Sequence, residues 1–378
     1  MKTIFLIFKY CKMKRQIYLN TICLALFFLL GSLQNNPAFY FIQNPTQKKT
    51  LFDGEDILNI KISGNLRSLL NDRVDNPTYH TLNFSYHEKD SAAVSFPVQI
   101  KTRGRFRKLA ENCNYPPLLL NFAKKNQPKE SVFYKQDKLK LVMPCKSDEY
   151  VVREWLVYKI YNLLTENSFR VRLVKVELED AQKKKANTFF YGFLLEEEKQ
   201  MAARNKLIAI EKKTFRPELT EKSAFIKMAV FQYFIGNTDW SVQYQQNIKL
   251  LGKDSLGKNP VAVPYDFDHA GLVDALYALP FEALMMKSVR ERRYRGYCIP
   301  NMKEFEPVII QFNKLKPAIY KLYEDCPWID AKYKKACFSY FDEFYKTIND
   351  VKSLKNEFSY PCDPNGTGNV VIKGLKTD

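Results

Sequence analysis

The sequence predicts an α+β fold in which a β-rich first section is followed by a helical second one. Three observations lead there. Between residues 57 and 195, short segments alternate apolar and polar residues with period two, as strands with one buried face do. From about residue 203 the apolar residues recur at helical spacing instead. Hydrophobic residues make up 46% of the 378, with 28 Phe and 23 Tyr, which is enough for a large core and excludes extensive disorder.

Taken in order, the first segment is a leader. Residues 1–21 carry Lys2, Lys9, Lys12, Lys14 and Arg15 with no acid, and residues 22–31 (ICLALFFLLG) form an unbroken apolar run. A basic stretch followed by about ten apolar residues predicts an export signal over residues 1–34, starting at Met1 or Met13. An uncleaved membrane anchor is the other reading of the same run, which is short for a span. Residues 35–50 read as a linker rich in Asn, Pro and Gln.

The β-rich section covers residues 51–200. In ILNIKIS, Leu58, Ile60 and Ile62 alternate with Asn59 and Lys61; YHTLNFSYH, VSFPVQIKTRG, PLLLNF and KLKLVMP are further strand candidates. SDEYVVREWLVYKIYNLL then changes period. Val152, Trp155, Leu156, Ile160 and Leu163 fall at helical spacing, Ser147 can cap, and Asp148 and Glu149 suit the helix dipole. Strands resume in VRLVKVELE and TFFYGFLLEEE. The helical section covers residues 201–362. EKSAFIKMAVFQYFIGN is apolar over so wide an arc that it must be buried. Two short strands, NIKLL and VAVPYDFD, interrupt before EFEPVIIQFNKLKPAIYKLYE and AKYKKACFSYFDEFYKTINDV, both amphipathic helices. Residues 363–378 read as a loop-like tail.

The net charge of +18 falls to about +13 without the leader, a balance that favours anionic partners: phosphate-bearing ligands, acidic polymers or a membrane surface. There is no arginine-rich arm and no aromatic nucleic-acid motif, so nucleic acid is not an expected partner. Membrane contact is expected only if the N-terminal segment stays uncleaved. Outside the leader lie Cys113, Cys145, Cys298, Cys326, Cys337 and Cys362. An even number in an exported chain predicts disulfides, and position alone suggests Cys113–Cys145 and Cys326–Cys337; free buried thiols are the alternative. Three histidines and no CxxC make a zinc site a poor fit.

One constellation has chemical sense. A buried helix leads to a loop with Asp239, then to a strand opening at Asn247, then to a strand ending in Asp266-Phe267-Asp268. Asp, Asn and Asp form a hard, oxygen-only set suited to Mg²⁺ or Mn²⁺ that bridges phosphates. A carboxylate just before such ligands can orient or deprotonate an attacking hydroxyl. Each group also has a plainer explanation, since Asn-Thr-Asp and strand-end aspartates are common turn chemistry.

This segment resembles the catalytic and metal loops of the protein-kinase-like superfamily, and most closely the atypical kinases of the CotH type, more distantly the HipA type. KTRGRFRK resembles the CotH-type Arg-Gly segment, REWLVYKIYNLL its Arg-bearing helix, and YGFLLEEE its strand leading into the interlobe linker. The resemblance spans roughly residues 55–300. It implies a two-lobed kinase-like fold, with ATP and a divalent cation as cofactors. Asp239 would be the catalytic base and Asn247 and Asp266 the metal ligands, with Asp268, unmatched in the family, as a second metal contact. Lys140 would meet the nucleotide phosphates, paired with Glu154; Arg103 and Arg105 would cover them; and the segment holding Glu196 and Glu198 would contact the purine. Asp268 stands where the family's Asp-Phe-Gly turn has glycine, and no glycine-rich phosphate loop is present. Lys138 shares a strand face with Lys140, and both also suit a solvated face. The function implied is phosphoryl transfer to a protein or glycan acceptor outside the cytoplasm, with nucleotidyl transfer, a pseudokinase or an anion-binding envelope scaffold as alternatives.

Overall fold

The computed structural model describes residues 50–87, 92–123, 127–182 and 186–363. The leader, the linker up to Lys49 and the tail beyond Asp363 lie outside the described residues. Each strand read from the alternation forms: β1 (Leu58–Gly64), β2 (His80–His87), β3 (Val94–Thr102), β4 (Leu118–Asn121), β5 (Lys138–Val142), β6 (Val171–Asp180) and β7 (Thr188–Leu195). These seven close into a barrel in the order β1-β2-β3-β4-β5-β7-β6. Neighbours are antiparallel except where β6 closes against β1 in parallel, with Leu58 opposite Val174 and Gly64 opposite Asp180. Closure leaves no edge strand to protect. The inward residues, among them Ile60, Ile62, Leu82, Phe84, Val98, Ile100, Leu120, Leu139 and Val176, fill the barrel. Phe84, Phe122 and Phe133 pack there with ring centroids 5.0–5.6 Å apart.

Helix α1 (Leu66–Asn71) follows β1, and α2 (Asp148–Leu164) links β5 to β6. The N-cap of α2 is Ser147, as expected, its hydroxyl accepting from the Glu149 amide. Buried residues occur on every side of α2, because one flank packs on β6 and β7 and the other on the later helices. Strands β6 and β7 are correspondingly apolar on both faces: Val174 and Val176 point into the barrel, whereas Leu173, Phe193 and Leu195 join α2 in the second core.

That second core is built by α3 (Glu198–Arg204), α4 (Lys222–Ile235), α5 (Glu306–Glu324), α6 (Ala331–Asn349) and α7 (Val351–Phe358) around α2. Helix α4 is capped by Glu221, which accepts from the Ser223 and Ala224 amides. It ends at Gly236, whose φ of +67° is the left-handed conformation glycine supplies at a helix C-terminus. A small antiparallel sheet, β8 (Ile208–Ala209), β9 (Ile248–Gly252) and β10 (Val261–Pro264), is ordered β10-β9-β8. No described helix is long and apolar enough to cross a membrane.

The expected two-lobed kinase-like architecture is corrected by this arrangement. The first section is a closed mixed barrel, and α2 is shared with the helical core rather than confined to a first lobe. Alternation specifies strands and their buried faces; it carries no information on which strand closes against which.

The cysteine reading is half corrected. Cys113 pairs with Cys145, but Cys298 pairs with Cys362, and Cys326 and Cys337 are buried free thiols. Chain return decides the second pair: Phe358 packs on Tyr294, and the Tyr360 hydroxyl donates to the Tyr294 carbonyl, which brings Cys362 back to Cys298. Burial pushes the Cys337 thiol up to about 12, the behaviour of an inert core cysteine. Two disulfides are what an oxidising, extracytoplasmic compartment permits.

Candidate functional site

The loop after β10 is fixed from three directions. Phe267 is fully buried, its ring 4.6 Å from Tyr158 on α2 and 5.5 Å from Phe231 on α4. Its amide donates to Glu154 Oε1 (3.3 Å), and the Asp266 amide donates to the Tyr158 hydroxyl (2.8 Å). Asp266 has a φ of +64° and Asn247 one of +52°. Asn and Asp take up left-handed backbone more readily than other non-glycine residues, and Lys135, Lys206, Gln245, Asn259, Asp274 and Met285 also adopt it.

Asn247, at the mouth of β9, is tied to both other loops. Its Nδ2 donates to the Asp239 carbonyl (2.7 Å) and to Asp239 Oδ2 (2.9 Å), and its own carbonyl accepts from the Tyr265 amide (3.0 Å). The side-chain amide of Gln246 donates to the other Asp239 oxygen. With both amide hydrogens of Asn247 committed to Asp239, its Oδ1 is the lone-pair group left for a ligand. Arg295 donates to the Thr238 and Trp240 carbonyls on either side of Asp239. Asp239, Asn247 and Asp266 therefore belong to one connected loop cluster.

Beside it lies a basic group from the barrel. Lys140 Nζ is 4.8 Å from the Tyr265 ring centroid, and Lys249 Nζ 5.9 Å from the same ring. Burial, reinforced by the nearby Arg103 charge and resisted by Asp266, lowers the Lys140 ammonium to about 8. Lys249 is ion-paired to Glu198 at 2.8 Å. Burial and the neighbouring Asp268 raise the Asp266 carboxyl above its ordinary range, against the opposing pull of Arg107, Arg103 and Lys140.

Glu154 is not paired with Lys140. Its cation is Arg107, whose Nη1 lies 3.5 Å from Glu154 Oε2 and 3.5 Å from Asp268 Oδ2. Nη2 of the same guanidinium donates to the Met143 carbonyl (2.7 Å), and the Tyr277 hydroxyl donates to Asp268 Oδ2 (3.2 Å). Burial opposes the Arg107 charge, and Tyr277, Asp268, Glu154 and Asp266 more than offset it. Desolvation and the Asp268 charge push Glu154 well above the usual carboxylate range even so. Asp268 is thus bound into a buried ion triad rather than presented to a ligand.

The other residues singled out from sequence fall outside the cluster. Arg105 is exposed. Glu196 is buried against Arg204 at 2.9 Å and accepts from the Arg170 amide (3.0 Å), a structural pairing. Among the described residues no group of three or more His, Cys, Asp or Glu is placed to hold a metal ion. Sequence reasoning missed Lys249, Tyr265 and the role of Arg107. Lys249 was within reach, since it shares a strand face with Asn247 two residues earlier. Arg107 was not, because the chain leaves β3 at Gly104 (φ +88°) and enters a 3₁₀ turn that ends the alternation.

A lysine whose folded pKa lies below its unfolded value holds fewer protons in the folded state. Its cost is complete below about pH 8 and is relieved as pH rises toward the unfolded 10.5. Lys140→Met is therefore expected to raise stability at pH 7 and to lose that gain by pH 10. Urea denaturation of both proteins at the two pH values measures it; an equal difference at both sinks the assignment.

In comparisons with known proteins, no family model matches the chain and no curated protein matches it.

Proposed function

We propose that the Asp239–Asn247–Asp266 cluster, with Lys140 and Arg103 beside it, binds a nucleotide polyphosphate with a divalent cation and transfers a phosphoryl group to an acceptor hydroxyl. The observation that carries this reading is the joining of Asp239 to Asn247 at 2.9 Å, and of Asn247 to the Tyr265–Asp266 segment at 3.0 Å, next to a half-buried lysine. Asn247 Oδ1 and the Asp266 carboxylate would hold the cation. Two protein oxygens suit Mg²⁺ or Mn²⁺, which keep several waters and take further oxygens from phosphate. The cation would supply neutralisation of phosphate charge. Lys140 gains its proton fully as the anion arrives, and Arg103 adds a second positive charge. Asp239, oriented by the Gln246 and Asn247 amides, accepts the proton of the acceptor hydroxyl. The order of motifs shared with CotH-type kinases supports the assignment of roles; the fold does not.

A second reading, anion binding without transfer, is favoured by the locking of Glu154 and Asp268 onto Arg107. Melting in the presence of ATP with Mg²⁺ or Mn²⁺ separates the readings. The expected result is a higher melting temperature, by mass action on the native state, that Asp266→Ala abolishes. No shift removes both nucleotide readings. A shift without transfer of label leaves the binder, and transfer from α- but not γ-labelled ATP marks nucleotidyl transfer.

A further inference from the structure

We infer that the site holds its ligand by the polyphosphate chain alone, with Lys249 as a third phosphate contact beside Lys140 and Arg103, and makes no distinction among bases. Inorganic tripolyphosphate is then as good a ligand as a nucleoside triphosphate. The inference rests on the phosphate and cation site proposed above and names what that site reads. A base is recognised by hydrogen bonds to its edge and by stacking on its face. Beside this cluster the groups that could do either are already committed.

The hydrogen-bonding groups come first. The segment leading from β7 into α3 runs beside the lysine, Leu195 being the register partner of Lys140. Because β7 lies between β5 and β6 in the closed barrel, Leu195 is paired on its other side as well, with Val171. Beyond it the Glu196 amide donates to the Arg170 carbonyl (3.0 Å), and the Glu197 carbonyl accepts from the Met201 amide (2.9 Å) as α3 begins. The Glu196 carboxylate is held by Arg204 and that of Glu198 by Lys249. Closure of the barrel thus leaves this segment without a free strand edge for a base to pair with.

The stacking face is occupied too. The ring that faces the lysines is Tyr265, and its centroid lies 4.8 Å from the Lys140 ammonium, 5.9 Å from that of Lys249 and 5.7 Å from the Phe169 ring. A base laid on it would displace a cation–π contact. What the cluster offers instead is charge from separate elements: Arg103 just after β3, Lys140 on β5 and Lys249 on β9. The charges of Arg103 and Lys249 both bear on the Lys140 ammonium, as do those of Asp266 and Glu198. The acids have other duties. Glu198 and Glu211 offset Lys249, and Asp266 faces the divalent cation that phosphates bring with them. Among the described residues neither Lys140 nor Arg103 has an ion-pair partner. A chain of phosphates can meet several such cations at once, where a single anionic group meets one.

The test titrates the whole disulfide-bonded protein, in excess Mn²⁺, with inorganic tripolyphosphate, ATP, GTP, UTP and adenosine, and follows the heat of binding. The triphosphates and tripolyphosphate are expected to have dissociation constants within about threefold of one another, and adenosine is expected not to bind. Lys249→Met should weaken all of them by one common factor of about tenfold, and Lys249→Arg should restore them. A preference of about tenfold for ATP over tripolyphosphate, or for ATP over UTP, overturns the inference and leaves the nucleotide reading standing. A Lys249→Met protein that loses ATP but keeps tripolyphosphate, or one that binds every ligand as the parent does, overturns the assignment of Lys249 to phosphate. Failure of every ligand to bind removes this inference together with the site it rests on. Uniform binding without transfer of label from γ-labelled ATP keeps it and removes phosphotransfer alone.

Discussion

Replacing Arg107 with methionine is expected to destabilise the protein by about 3–5 kcal/mol, the cost of breaking a buried ion group by removing one partner. The reason is the company it keeps. Glu154 and Asp268 each lie 3.5 Å from its Nη1, and all three side chains are almost wholly buried. Without the cation, two carboxylates remain in a low-dielectric site already crowded by Asp266, whose own carboxyl is raised. Glu154, already pushed well above the usual carboxylate range, can escape only by taking up a proton. Folded carboxyl pKa values raised above their unfolded values make stability fall as pH rises from the unfolded value through the folded one. The defect in Arg107→Met is therefore largest at pH 7 and above, and shrinks toward pH 5. Urea titrations at both pH values read it directly. Adding Glu154→Gln and Asp268→Asn to Arg107→Met should restore part of the loss, since neutral amides do not need the missing charge. A single variant as stable as the parent, or a defect that grows on acidification, would show that the triad carries no such weight.

That triad also marks where the sequence stopped being informative. Strands were legible because a two-residue period survives any tertiary context that buries one face, and α2 was legible from Ser147, Asp148 and the spacing of Val152, Trp155 and Ile160. The parallel closure of β6 on β1 was not, because it depends on where α2 returns the chain. The helix α3, seven residues long, is too short to show a period, and it lay hidden under the polar run after β7. In the site, the link of Asp239 to Asn247 followed from their order along the chain. The identity of the cation facing Glu154 did not follow. Lys140 and Glu154 come from adjacent elements, which makes them natural partners on paper. The partner of Glu154 instead arrives from the 3₁₀ turn after β3, far upstream in the chain, whose position no local pattern encodes. Position alone could suggest Cys113–Cys145, yet it failed for Cys326 and Cys337 because α7 folds back on the 294–298 segment.

Opening the Cys113–Cys145 bond is expected to lower both stability and anion affinity, whereas opening Cys298–Cys362 should lower stability alone. With a separation of 32 residues, the chain-entropy account assigns the first bond about 3–4 kcal/mol, and the 64 residues of the second slightly more. Their positions differ in consequence. Cys145 ends the stretch that begins with Lys140 on β5 and includes Met143, whose carbonyl holds Arg107. Cys113 ends the segment that carries Arg103, Phe106 and Arg107, and the Asn114 amide donates to the Cys145 carbonyl at 2.9 Å. The bond therefore clamps the basic segment onto the strand that supplies the lysine. Arg73 holds the same segment from the other side, donating to the carbonyls of Lys108 (3.2 Å), Cys113 (3.0 Å) and Asn114 (2.8 Å), so the segment loosens without detaching. A loss of about tenfold in affinity, about 1.4 kcal/mol, is the expected scale. Cys113→Ser/Cys145→Ser and Cys298→Ser/Cys362→Ser proteins, titrated with pyrophosphate and Mn²⁺ at a temperature well below either melting point, give the comparison. Equal weakening in both pairs would reduce the first disulfide to a general brace. Weakening confined to Cys113→Ser/Cys145→Ser would tie full-strength anion capture to an oxidising compartment, because only there does a covalent clamp add to the hydrogen bonds that hold the basic segment near β5.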